Sequence, residues 1–79
     1  MAKVEVRCFA HLREFLPEEA EGGVYYYNTD KITILEIADE LNLPKEELHL
    51  IMKNGVKVNL QAKIEEGDRI GFFPPIGGG

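Results

Sequence analysis

The sequence closes on Pro74-Pro75-Ile76-Gly77-Gly78-Gly79, and the group with chemistry to offer there is the carboxylate of Gly79. Three glycines at a defined end have a chance probability on the order of 10⁻⁴ at the usual glycine frequency, so average composition does not account for them. A frayed end or a cloning remnant is the simplest alternative, because termini carry few constraints. The diproline separates the two readings. It biases the chain toward stiff, extended polyproline geometry, and six extended residues reach about 20 Å. Glycine in turn lets a backbone approach closely where any Cβ would clash. A stiff base with a tip free of side chains suits insertion into a narrow tunnel of another protein.

The other chemically capable residues do not combine into a site. Cys8 shares its alternation register with Val4 and Val6, which makes it a buried and inert thiol rather than a persulfide carrier. His11 and His49 have no accompanying ligand set, so no metal site is expected. Glu46-Glu47 and Glu65-Glu66 are solvated turns. There is no Ser/His/Asp arrangement and no phosphate-cradling glycine loop. Tyr25-Tyr26-Tyr27 reads as strand packing with one or two exposed rings.

Composition sets the class. The chain has 79 residues, 44% hydrophobic and 29% charged, with a formal net charge of −5. That length suits one domain, residues 1–79, with 74–79 as an exposed tail. A domain this small buries only roughly 60% of its unfolded surface, which leaves no room for a deep catalytic cavity. The negative charge argues against nucleic acid and against an anionic membrane surface; a basic protein partner is compatible with it. A single cysteine rules out an intramolecular disulfide. No leader or membrane-spanning run is visible, so the expected location is cytoplasmic.

The elements that must position the tail follow from periodicity. Residues 3–9 alternate, with Val4, Val6 and Cys8 on one side and Lys3, Glu5 and Arg7 on the other, a half-buried first strand. Residues 10–16 form one or two helical turns, 17–23 an acidic, glycine-ended loop, and 24–28 a second strand. Thr33 and Glu36 have capping-box spacing. Ile34, Ile37, Ala38 and Leu41 then make one apolar stripe, and Leu43-Pro44 is expected to close this helix. Residues 49–53 and 56–60 flank Asn54-Gly55, the dipeptide suited to a type I′ hairpin. Glu66-Gly67-Asp68 turns the chain into a last strand over 69–73, where Phe72 is expected inside and Phe73 outside as a partner-binding anchor. The predicted order is β-β-α-β-β-β, an α+β arrangement with one main helix packed across a mixed sheet.

The stretch EEGDRIGFFPPIGGG (65–79) resembles the C-terminal signature of the MoaD/ThiS sulfur carriers. Its Phe-Phe-Pro-Pro is closest to the small subunit of molybdopterin synthase. Gly77 departs from the pattern, since family members often carry a small side chain there. The resemblance implies a ubiquitin-like β-grasp fold and chemistry done on the protein rather than by it. An E1-like, ATP-dependent activating enzyme would adenylate Gly79. A persulfide donor enzyme would then convert it to a thiocarboxylate, and the tail, Pro74 to Gly78, would thread into the large subunit of molybdopterin synthase. The chain itself would hold no cofactor and no metal. A ubiquitin-like modifier conjugated to lysines shares the same terminus, as does a sulfur carrier for thiamine, tRNA thiolation or cysteine. A plain β-grasp binding module with an inert tail is the third possibility.

Overall fold

The computed structural model describes residues 2–75. Five strands make one sheet: β1 (Ala2–Cys8), β2 (Val24–Thr29), β3 (Leu50–Lys53), β4 (Val56–Val58) and β5 (Arg69–Phe73). A helix, α1 (Ile34–Glu40), follows β2, and short 3₁₀ helices occupy Ala10–Phe15 and Lys45–Glu47. The order across the sheet is β2-β1-β5-β3-β4. β1 and β5 pair in parallel, and the other neighbours are antiparallel. This is the predicted α+β order, with the second 3₁₀ turn unforeseen.

One face of the sheet meets the helix. Val4, Val6 and Cys8 of β1, Ile51 of β3, and Ile70 and Phe72 of β5 are buried with Ile34, Ile37, Ala38, Leu41 and Leu43. The stripe read from the sequence is therefore the buried face of α1. Tyr25 and Tyr27 pair opposite Val6 and Val4, so they lie on this side of β2, stacked with ring centroids 5.0 Å apart. Tyr26, one residue out of phase, is exposed.

The helix begins as its capping box predicts. The Thr33 hydroxyl accepts from the Glu36 amide at 3.3 Å, while the Glu36 carboxylate accepts from the Ile32 and Thr33 amides at 3.0 Å each. Those amides, Ile32 first, hold the Glu36 carboxyl below its ordinary pKa. The amides of Ile34 and Leu35 donate to the carbonyls of Ala62 and Leu60. This explains why β4 stops at Val58 rather than running to Leu60: the chain after it caps the free amides of the first helical turn.

The helix ends differently from the expectation. Leu43-Pro44 is not the stop. Asn42 takes a positive φ of 60°, and the Leu43 amide donates to the Ala38 carbonyl while the Asn42 amide donates to Asp39. These are the two bonds of a Schellman cap, in which asparagine serves where glycine is usual. Pro44 then opens the second 3₁₀ turn.

The Asn54-Gly55 turn forms as predicted, with φ of 52° and 84°. Asn54 also fixes the start of β5: its side chain donates to Asp68 at 2.9 Å and accepts from the Arg69 amide at 2.9 Å. Asp68 is buried, and its second carboxylate oxygen accepts from the Glu65 amide. The hairpin tip and the entry to β5 are thus tied together by satisfied buried polar groups.

Candidate functional site

The strand that leads to the tail is the middle one of the sheet, held by backbone bonds on both sides. The Phe9 amide donates to the Phe72 carbonyl at 3.2 Å, and the His49 amide donates to the Phe73 carbonyl at 2.9 Å. Beyond Phe73 the ladder cannot continue on the amide side, since Pro74 and Pro75 have no N–H. Among the described residues the strand is therefore anchored as far as the Phe73 carbonyl. Pro74 is half-buried and Pro75 exposed. The predicted threading residues Ile76, Gly77 and Gly78 and the predicted reacting residue Gly79 lie outside the described residues.

Phe72 and Phe73 point to opposite faces, as the alternation requires. Phe72 is fully buried against the helix. Phe73 is on the open face, where it is half-buried rather than free, because Phe9 lies on it in a parallel stack with centroids 4.1 Å apart and planes 8° apart. Phe9 was missed by sequence reasoning, although it continues the outward register of Lys3, Glu5 and Arg7. Its contact with Phe73 depends on the parallel β1–β5 pairing, which joins residues more than sixty positions apart.

The open face is defined by that pairing. Arg7 lies opposite Gly71, and Gly71 opposite Met52. Gly71 has no side chain to cover the sheet, and a Cβ added there would meet the Phe73 ring at 3.2 Å and the Phe9 ring at 3.6 Å. The result is a groove of about 310 Å³ over Gly71, walled by Phe9, Phe73 and Met52 and flanked by Arg7 and Arg69. Arg7 pairs through Nε with Glu5. That hydrogen bond pushes its guanidinium pKa further above the ordinary value, so its charge is permanent.

Cys8 is 2% exposed, on the helix side of β1, and burial pushes its thiol up to about 11. It is separated from the open face by the sheet itself. In the native protein this thiol should resist alkylation at pH 8 and react once denatured, since the thiolate is the nucleophile. The same shift makes stability fall as pH rises from the ordinary thiol range toward about 11. Cys8→Ser should cost about 1–3 kcal/mol by placing a hydroxyl among apolar neighbours, which thermal unfolding measures. His11 is paired with Glu47, joining the two 3₁₀ turns. His49 is exposed and contributes its backbone amide to Phe73. Among the described residues no three His, Cys, Asp or Glu side chains gather into a metal-binding group, and no helix is long and apolar enough to cross a membrane.

The arrangement is similar to that of several solved proteins. Small archaeal modifier protein 1 from H. volcanii superposes with a TM-score of 0.72 at 22% identity, over 96% of this chain and 100% of that one. A putative molybdopterin converting factor subunit 1 from Pyrococcus furiosus gives 0.70 at 22% identity, with coverage of 96% and 100%. A Helicobacter pylori structure of subunits 1 and 2 of molybdopterin-converting factor in complex gives 0.61 at 25% identity, with coverage of 98% and 99%. The fold is thus the ubiquitin-like β-grasp. No curated protein matches the sequence. Residues 1–76, which include every strand, the helix and the diproline, match a family described as Mut7-C ubiquitin, and the chain belongs to that ubiquitin-like family.

Proposed function

We propose that this protein is a sulfur carrier whose reacting group is the carboxylate of Gly79. The observation that carries the reading is the end of β5. The middle strand of the sheet is clamped to the Phe73 carbonyl and followed at once by two prolines, then Ile76 and three glycines. A rigid base under a tip without side chains delivers a carboxylate at a set distance from a folded body. The open groove beside it, rather than an enclosed cavity, fits a protein that presents its end to another protein's active site.

A carboxylate is a poor electrophile, so the reading requires activation by a partner. An E1-like enzyme spends ATP to adenylate Gly79; the outer sulfur of a donor enzyme's persulfide then displaces AMP to form an acyl disulfide, and a second thiol cleaves that S–S bond, releasing the thiocarboxylate and leaving a disulfide between the two thiols. The chain then acts as the non-catalytic small subunit that carries sulfur into the large subunit of molybdopterin synthase, with Pro74 to Gly78 threading the entrance and Phe73 at its rim. Acceptors in thiamine, tRNA thiolation or cysteine synthesis would use the same terminus with a different partner. The setting is cytoplasmic, and no cofactor or metal resides on the chain.

A second reading has its own support: the fold is as near to small archaeal modifier protein 1 as to the molybdopterin converting factor subunit. A modifier would use the adenylated Gly79 to acylate a lysine. Incubation with the activating enzyme, ATP and a persulfide donor separates the two. A carrier gains one sulfur for one oxygen in intact mass. Lysine-linked conjugates without that exchange would transfer the assignment to a modifier, and an unchanged mass with no conjugates would leave an inert-tailed binding module.

A further inference from the structure

The hairpin tip between β3 and β4 carries a reactive dipeptide that has no part in delivering the tail. Asn54 is the one asparagine of the chain followed by glycine; Asn28, Asn42 and Asn59 precede Thr29, Leu43 and Leu60. An asparagine side-chain amide can be attacked by the backbone nitrogen of the next residue, and glycine, with no Cβ, leaves that nitrogen open. The bond from Gly55 N to Asn54 Cγ forms, the Cγ–Nδ2 bond breaks, and ammonia leaves with the proton from Gly55 N. Water then opens the cyclic imide at either carbonyl. The product is aspartate, or isoaspartate when the main chain is left running through Cβ and Cγ. Water is the only co-reactant, and both residues are exposed to it.

In the folded chain the attack is opposed by what holds the Asn54 side chain. Its Nδ2 donates to Asp68 Oδ1 at 2.9 Å, and its Oδ1 accepts from the Arg69 amide at 2.9 Å. The Asn54 amide donates in turn to the Arg69 carbonyl at 2.8 Å. These bonds turn the side chain toward the entry of β5, and both side-chain bonds must break before Cγ can swing to Gly55 N. Asp68 is itself fixed: it is 8% exposed, and its Oδ2 accepts from the Glu65 amide at 2.8 Å. The same contacts make the change costly once it has happened. A carboxylate at position 54 has no hydrogen for Asp68 Oδ1, so two like charges meet where a hydrogen bond stood. Lys53 Nζ stands 4.0 Å from Asp68 Oδ2 and donates to the Lys63 carbonyl, so it does not replace the lost donor. Isoaspartate also adds a carbon to the main chain, which breaks the turn that sets Lys53 opposite Val56.

We propose that Asn54 is a modification site, converted by loss of ammonia to aspartate or isoaspartate, and that the bonds to Asp68 and Arg69 hold it shut in the folded hairpin. Conversion then proceeds through opening of the hairpin tip, a local event whose free energy can lie well below that of global unfolding. Each opening is reversible, but a conversion during one is not. A converted tip no longer ties the hairpin to β5, the strand that leads to Phe73 and the tail. The modified chain is therefore less stable than the original and opens more readily.

The test incubates the full chain at mildly alkaline pH, with and without denaturing guanidinium chloride. The peptide containing Asn54 and Gly55 is then read by mass for nitrogen replaced by oxygen, and isoaspartate is separated from aspartate by chromatography. Conversion at Asn54 is expected to be ~100-fold or more faster in the denatured chain than in the native one. Asp68→Asn sets an amide donor against either Asn54 Nδ2 or the Glu65 amide and so opens the lock. Cys8→Ser weakens the core without touching the hairpin. At denaturant concentrations that give these two variants equal unfolding free energies, Asp68→Asn should convert ~10-fold or more faster. Asn54→Asp should lower the denaturation midpoint, and adding Asp68→Asn to it should recover most of the loss, because amide and carboxylate have then exchanged places. Equal conversion in native and denatured chains, or equal rates for Cys8→Ser and Asp68→Asn, would overturn the lock. No conversion at Asn54 in the denatured chain would overturn the site. A wild-type midpoint for Asn54→Asp, or no recovery in the double variant, would overturn the repulsion with Asp68.

Discussion

Removing Gly79, or adding one residue after it, is expected to abolish sulfur loading while leaving the protein folded. Reaction requires the acyl carbon in near-attack geometry, where a displacement of about 1 Å can cost on the order of 100-fold. Deleting one residue withdraws the carboxylate by about 3.3–3.6 Å. Adding one moves it as far in the other direction and places a side chain in the tip. Neither change reaches the backbone bonds that end at the Phe73 carbonyl, so the thermal unfolding midpoint should match that of the wild type. The measurement is the intact mass of the three proteins after incubation with activating enzyme, ATP and persulfide donor. Loading of both variants at the wild-type rate would remove Gly79 from the chemistry.

Phe72→Ala and Phe73→Ala, neighbours on one strand, should differ by several fold in their effect on stability. Phe72 is 0% exposed and sits opposite Cys8 and Ile51 at the middle of the sheet. Its truncation opens a cavity under the helix and should cost about 3–5 kcal/mol. A domain of this length has about 4–12 kcal/mol in total, so the Phe72→Ala loss takes at least about a quarter of it and shifts the denaturation midpoint strongly downward. Phe73 is half-buried on the other face, and its truncation removes an aromatic stack of about 0.5–1.5 kcal/mol and some apolar area. Chemical denaturation of both variants gives the comparison. A Phe73→Ala loss equal to that of Phe72→Ala would place Phe73 in the core, and a Phe72→Ala protein as stable as the wild type would contradict the helix packing described above.

The charge of the open sheet face shows how a whole-chain quantity can mislead. A net charge of −5 is compatible with a basic partner, yet Arg7 and Arg69 flank the groove while Glu36, Asp39 and Glu40 of α1 are exposed elsewhere. Net charge sums over all sides of a molecule, and a partner meets only one of them. The sum therefore constrains solubility more than it constrains any interface.

What the sequence determined by itself was local. Alternation sorted Val4, Val6 and Cys8 from Lys3, Glu5 and Arg7, and Phe72 from Phe73, because a strand has a period of two. The Thr33–Glu36 box and the Asn54-Gly55 turn were legible because each is made by residues within a few positions of one another. The helix stop was legible too, but was assigned to Pro44 instead of Asn42, since asparagine's tolerance of positive φ is a weaker signal than proline. Tertiary structure alone decided what touches across the sheet. The parallel pairing of β1 with β5 places Arg7 beside Gly71 and Phe9 on Phe73, and the β5–β3 pairing adds Met52. Strand order depends on how the helix covers one face and where the loops close, a property of the whole fold that no window of sequence contains. The glycine-ended terminus is therefore readable as a motif, whereas the groove over Gly71 exists only once the first and last strands are neighbours.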